Sequence, residues 1–129
     1  MKKGGILHPE LSQLLASLGH TDYIVIADKG YPVPQHKERI NLAITDDLPT
    51  VLNVLDAIEK EFMFDRIIVT EEMEDISPER LQTLKQSYPH VIFEKVTHSS
   101  FKEMTQQSNG VIKTGDSCPY GNIIIVSGD

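Results

Sequence analysis

Leu18-Gly19-His20-Thr21-Asp22-Tyr23-Ile24-Val25-Ile26-Ala27-Asp28-Lys29-Gly30-Tyr31-Pro32-Val33-Pro34-Gln35 is the stretch whose reading decides the fold. Its middle, Tyr23 to Ala27, is apolar, rich in β-branched residues and closed by Asp28. A short run without polar alternation reads as a strand buried on both faces, as a sheet sandwiched between helices requires. His20 stands before this strand and Asp28 after it, so a rigid element carries polar groups at both ends, where functional groups are usually held.

Outward from that strand the chain alternates helix and strand. Leu11, Leu14, Leu15 and Leu18 repeat at i, i+3, i+4, i+7, which predicts an amphipathic helix over Pro9 to Leu18 stopped by Gly19. On the other side, Tyr31-Pro32-Val33-Pro34 is extended or turning, because each proline disfavours helix in the residue before it. Arg39 to Ile44 alternates polar and apolar like a half-buried strand. Asp46 and Asp47 are candidate caps for a helix whose apolar face is Val51, Leu52, Leu55, Ile58 and Phe62. Arg66 to Thr70 is another buried strand, followed by the acidic Glu71 to Asp75, in which the Glu71-Glu72 pair reads as a solvated loop, with a catalytic carboxylate pair as the alternative. Ser77-Pro78 starts a helix carrying Leu81, Leu84 and Tyr88, ended by Pro89. Val91 to Val96 is a strand, and Ser99 or Ser100 caps a short helix with Phe101 and Met104. Val111 to Lys113 and Asn122 to Val126 complete the pattern as strands.

About six strands alternating with about four helices predict an α/β fold of three layers. The central sheet is largely parallel and partly mixed, with helices on both faces; the close spacing of the last two strands is where it becomes mixed. No repeat, linker or low-complexity segment divides the chain, so residues 1–129 read as one domain. A net charge of −7 argues against a nucleic-acid partner, which would want a basic face. No apolar run approaches the ~20 residues that span a bilayer, and no signal core follows Lys2-Lys3. The lone Cys118 has no partner for an internal disulfide, which suits a reducing cytoplasm.

None of the five histidines, His8, His20, His36, His90 and His98, pairs with another at metal-ligand spacing, so no metal is expected. Gly115 to Gly121 has the outer spacing of a phosphate loop but lacks the following Lys and Ser/Thr. Nor is there a Gly-x-Ser-x-Gly elbow. His20 has two readings: an imidazole that both gives and accepts a proton near neutrality, or a residue that merely finishes a helix. Asp22 either orients that ring or faces water; Asp28 either binds hydroxyl groups or caps a turn. The segment Thr114 to Asn122 is dense in hydrogen-bonding groups for an inter-strand turn. Tyr120 and Asn122 there offer a phenol and an amide to a polyhydroxylated ligand, or serve turn geometry alone. Thr97-His98 falls at a strand end, as Asp28 does, and ligands of open α/β sheets gather outside those ends.

Several blocks then become specific together. They are Leu18 to Asp22; Ala27-Asp28 with Gly30, Pro32 and Pro34; Glu71-Glu72; Thr97-His98 with Phe101-Lys102; and Val111 to Gly115 running into Pro119-Tyr120 and Asn122. In this order and spacing they resemble the D-ribose pyranase family of the ribose-uptake system. The resemblance implies a cofactor-independent isomerase that interconverts the pyranose and furanose forms of D-ribose and supplies furanose to ribokinase. It places the proton donor on His20 and sugar binding on Asp28, His98, Tyr120, Gly121 and Asn122. It also implies a homodecamer of two stacked pentamers; because the candidate site residues come from both halves of the chain, the Tyr120 turn of one subunit is expected to complete the His20 pocket of another. Tyr31, Val33 and Phe64 are then expected to be exposed in the monomer and covered by neighbours. The sister L-fucose mutarotases differ after the histidine and lack the Gly-x-Pro-x-Pro pattern, so Thr21 with Gly30, Pro32 and Pro34 favours ribose. Those mutarotases, and a non-catalytic sugar-binding accessory of a transporter, are the alternatives. Lys29, Tyr31 and Gly121 depart from the small residue, Leu and Ala usual in the family. The chemistry suits the inventory: a hemiacetal opens and recloses by proton transfers alone, for which one placed acid–base group supplies roughly 10²–10⁴-fold.

Overall fold

The computed structural model describes residues 1–129. Its elements run α1 (Pro9–Ser17), β1 (Tyr23–Ala27), β2 (Arg39–Asn41), α2 (Val51–Glu59), β3 (Phe64–Thr70), α3 (Glu71–Ile76), α4 (Pro78–Ser87), β4 (Ile92–Val96), α5 (His98–Gln106), β5 (Val111–Lys113) and β6 (Ile123–Ser127). The six strands form one sheet in the order β2-β5-β1-β6-β3-β4. β1 pairs parallel with β5, β5 with β2, and β3 with β4, while β6 runs antiparallel to both β1 and β3. The largely parallel, partly mixed sheet is as expected, with a difference in placement. β5 and β6 are close in sequence yet are separated in the sheet by β1.

β1 is sandwiched because its side chains feed two cores in alternation. Ile24 and Ile26 join α1, α2 and α4 through Leu11, Leu14, Leu15, Val54, Leu55 and Leu84, among others. Val25 and Ala27 join Ile68, Val111 and Ile124 beneath Tyr31 and Phe101 of the α5 side. The helical layers are therefore unequal, with α5 the only helix contributing buried apolar residues to the second core.

Four expectations are corrected. The acidic segment after β3 is helix α3: Thr70 Oγ1 accepts from Met73 N at 3.0 Å, and Met73 is fully buried. The cap of α2 is Thr50 rather than Asp46 or Asp47, in a reciprocal capping box with Asn53. Thr97, not Ser99 or Ser100, caps α5 through the Ser100 N–H at 3.1 Å. Tyr31 and Phe64 are buried at 3% and 7% exposure, so neither is free for a neighbour; the exposed large apolar side chains include Leu7, Ile44, Leu48 and Ile92.

Candidate active site at the carboxyl edge of the sheet

The reversal of β6 builds the site. Because β6 runs opposite to β1, the residue that precedes it, Asn122, arrives at the same edge of the sheet as Asp28, which follows β1. The contact is direct: Asp28 N–H donates to Asn122 Oδ1 at 2.7 Å. β4 is parallel to β3, and so to β1, and the chain leaving it delivers His98 to that edge as the first residue of α5. The His98 N–H donates to Glu72 Oε1 at 3.0 Å, so α3 anchors the start of α5. The His98 ring meets Tyr120 edge-on at 5.2 Å between centroids and Tyr31 at 6.1 Å.

Asp28, Gly30, Tyr31, Pro32, His98, Tyr120 and Asn122 line a cleft of about 220 Å³. That is below the ~300–1,000 Å³ of drug-sized ligand sites and suits a compact polar molecule. A cleft of about 500 Å³ between residues 59–64 and 87–91 is larger and holds Glu59, Glu61, Tyr88 and His90, but it lies at the amino ends of β3 and β4, away from the carboxyl edge, and its phenol is committed to Asp56. Burial raises the Asp28 carboxyl above its ordinary value, and the Asp116 charge adds to this; the N–H groups of Gly30, Gly121 and Tyr31 oppose it. The carboxyl therefore keeps its proton more readily than an exposed aspartate does. His98 Nδ1 is buried without a hydrogen-bond partner in the chain. A buried imidazole nitrogen without a partner costs stability and calls for an explanation; Arg66 Nε, outside the cleft, is in the same condition.

The structure thus brings together Asp28, His98, Tyr120 and Asn122. Gly121 does not line the cleft; it is buried beneath it, and a Cβ there would come 3.0 Å from the Cys118 carbonyl oxygen and 3.3 Å from Arg80 Nη1. His20 is not in this cleft either. It is exposed in the turn before β1, whereas Asp28 follows β1, so the five strand residues, roughly 13 Å at ~3.3 Å per step, lie between them. Asp22 does not grip the imidazole: its carboxylate accepts the Gly19 N–H at 2.8 Å and shapes the turn in which Thr21 takes φ 75°. Tyr31 and Pro32 line the cleft without having been candidates for sugar binding; Tyr31 stood out in the sequence as an unusual residue and as expected subunit-contact surface. No three His, Cys, Asp or Glu side chains converge as a metal cage, and no helix is long and apolar enough to cross a membrane.

Comparison with known proteins shows the family and the fold. The model of the RbsD / FucU transport protein family matches residues 1–129. The chain is 48% identical to the D-ribose pyranase of Geobacillus thermodenitrificans over 128 residues, covering 99% of this chain and 97% of the other. It is 38% identical to that of Limosilactobacillus fermentum over 128 residues, with 99% and 98% coverage. Among solved structures, Bacillus subtilis RbsD complexed with D-ribose superposes with a TM-score of 0.95 at 36% identity, covering 100% of this chain and 98% of that one. The fucose mutarotase of Streptococcus pneumoniae in complex with L-fucose superposes at 0.81 with 24% identity, covering 95% and 94%, a likeness of fold alone.

Proposed function

Because this chain belongs to the RbsD / FucU transport protein family, we propose that it is a D-ribose pyranase, converting the six-membered ring of D-ribose to the five-membered ring that a kinase consumes in the cytoplasm. The observation that carries the reading is the convergence of Asp28, His98, Tyr120 and Asn122 on one small cleft.

The reaction moves protons only. In opening, the ring oxygen gains a proton as the anomeric hydroxyl loses one, the ring C–O bond breaks and the anomeric carbon becomes an aldehyde. After rotation, the 4-hydroxyl oxygen attacks that carbonyl; its proton leaves and the carbonyl oxygen is protonated, which gives the furanose. No electrons, atoms or groups are exchanged with a second reactant. Tyr120 and Asn122 hold sugar hydroxyls through a phenol and an amide. Asp28, raised by burial, and His98 are the proton-handling groups that the cleft itself contains. Hydrogen bonds to the open chain's rotating end are the ones to keep weak, since tight binding of either ring form alone raises no rate.

His20 enters this scheme from outside the chain. With β1 between His20 and Asp28, a second copy is the source of the His20 that faces each cleft, in a homo-oligomer whose sites lie at subunit interfaces. The decamer of two pentamers is the assembly we propose. Exposed Ile44 and Leu48, at 78% and 52%, lie in the turn joined to the Thr114–Ser117 segment and are apolar surface available to a neighbour.

The test is saturation-transfer NMR between ribose ring forms. Wild-type protein is expected to speed exchange, and inactive His20→Ala and Asn122→Ala chains, refolded together, to recover part of it. Light scattering should report a mass several times 14.5 kDa. Exchange no faster than in buffer defeats the enzymatic reading; a monomer by scattering defeats the shared site.

A further inference from the structure

Arg80 of α4 has no place in the chemistry above, yet its guanidinium lies 3.3 Å from where a Cβ of Gly121 would sit, between the two residues that hold the sugar. We propose that Arg80, through Asp116, is a positioning residue that fixes the Cys118–Asn122 turn, and so Tyr120 and Asn122, relative to Asp28. The proposal rests on the sugar-binding role assigned to those residues.

Asp116 is 1% exposed and its carboxylate is fully engaged. Arg80 donates from Nη1 to Oδ2 at 2.7 Å and from Nη2 to Oδ1 at 3.2 Å. The N–H of Val51, at the start of α2, donates to Oδ2 at 2.8 Å, and that of Cys118 to Oδ1 at 2.9 Å. Its backbone is tied as well. The Lys29 N–H, next to Asp28, donates to the Asp116 carbonyl at 3.0 Å. The Asp116 N–H donates to Thr114 Oγ1 at 3.1 Å, and that hydroxyl donates to the Ala27 carbonyl at 2.8 Å. One residue therefore links α4, α2, the sugar-binding turn and the backbone on both sides of Asp28. Ser77 Oγ, at the head of α4, adds a second tether to the turn by donating to the Pro119 carbonyl at 2.7 Å.

Two considerations make positioning, rather than stability, the purpose. A buried ion pair roughly breaks even against well-packed apolar residues, so stability alone is a weak reason to keep one. The turn that it braces also stores strain: Tyr120, not a glycine, sits at φ 55°, a conformation that persists only where the surroundings over-determine it. A planar guanidinium gripping a carboxylate with two parallel bonds supplies that constraint, and an ammonium cannot reproduce the fork.

The experiment compares the assembled wild-type protein with Arg80→Lys and with Arg80→Met/Asp116→Asn, the second of which removes both charges and so leaves none buried alone. In each, amide hydrogen exchange is followed without sugar, and KM and kcat for ribose ring exchange are measured by NMR. The expected result is exchange about 10-fold faster at Cys118–Asn122 with the core amides unchanged, KM raised roughly 10-fold and kcat within about threefold, the signature of misplaced binding groups. Unchanged amides in this turn overturn the proposal, as does faster amide exchange with a wild-type KM. Faster exchange throughout the chain makes the pair a stability element and also overturns it. An unmodified chain that fails to exchange ribose ring forms defeats the functional reading, and with it the sugar part of this proposal; the two failures are told apart because only that one appears in the wild type.

Discussion

The contact between Tyr31 and Thr105 carries an asymmetry that two conservative substitutions will expose. The Tyr31 hydroxyl and Thr105 Oγ1 are 2.6 Å apart, both residues are buried, and Thr105 Oγ1 also donates to the Phe101 carbonyl at 3.0 Å. With the threonine proton spent on Phe101, Tyr31 must be the donor between them. Tyr31→Phe then deletes the donor and leaves Thr105 with its own proton satisfied, a loss of about 1 kcal/mol. Thr105→Val removes the acceptor and strands a buried phenol proton, whose desolvation brings the loss to about 2–3 kcal/mol. The double variant strands nothing and should fall back towards the cost of Tyr31→Phe alone. At this chain length 1 kcal/mol corresponds to about 3–5 °C in Tm. Thermal melts and urea titrations at one fixed protein concentration, so that assembly does not differ, are the assay. Tyr31→Phe proving as costly as Thr105→Val, or strict additivity in the double variant, refutes the donor assignment. The ring edge of Tyr31 on His98 makes the same pair visible in the cleft: Thr105→Val should disturb ribose binding more than Tyr31→Phe does.

Two further outcomes follow from the charges around the cleft. Asp28 has a folded value raised by burial above its ordinary 3.8, so its contribution to stability is full below that value and is lost as pH rises through the raised one. Asp28→Asn escapes this loss: the Tm difference, variant minus wild type, should grow as pH rises above the ordinary 3.8, while ribose affinity drops about 10–100-fold, the scale of a lost charged hydrogen bond; a difference independent of pH contradicts it. Lys29 pairs with Asp46 at 2.9 Å in the open and does not line the cleft, so Lys29→Ala should leave Tm and ribose KM as they are, and a changed sugar preference in that variant would show that its departure from the family pattern matters.

What could be read in the sequence was whatever a single local pattern determines. β1 was legible because a strand fed by two cores has no polar position to confuse the pattern. That Asp28, His98 and Asn122 come to one edge was legible because they lie within two residues of a strand end, where an α/β sheet presents side chains; Tyr120 reaches it through the turn before β6. Helix α3 was not legible: only Met73 of its side chains is buried, so it has no apolar stripe, and its cap, Thr70, is also the last residue of a strand. The cap of α2 was misplaced because Asp46 and Asp47 are good caps in isolation; the fold instead spends Asp46 on Lys29 and Asp47 on Ser117. Arg80 gave no signal, since an arginine on a polar helix normally faces water and only the tertiary fold sets it over Asp116. The separation of His20 from the cleft is likewise a fact of topology: eight positions apart in sequence is near, but a strand makes it far.

The reversed strand has a consequence for how the molecule comes together. Without β6 the sheet is two unconnected pieces, β2-β5-β1 and β3-β4, because no other strand pairs across the gap. Until Ile123–Ser127 threads between them, β1 and β3 each present a bare ladder of N–H and C=O groups flanked by apolar side chains, a template for wrong partners. In the finished sheet this one strand closes both edges, joins the halves and carries Asn122 up to Asp28. The residue that offers its amide at the cleft is thus carried by the same strand that seals the sheet.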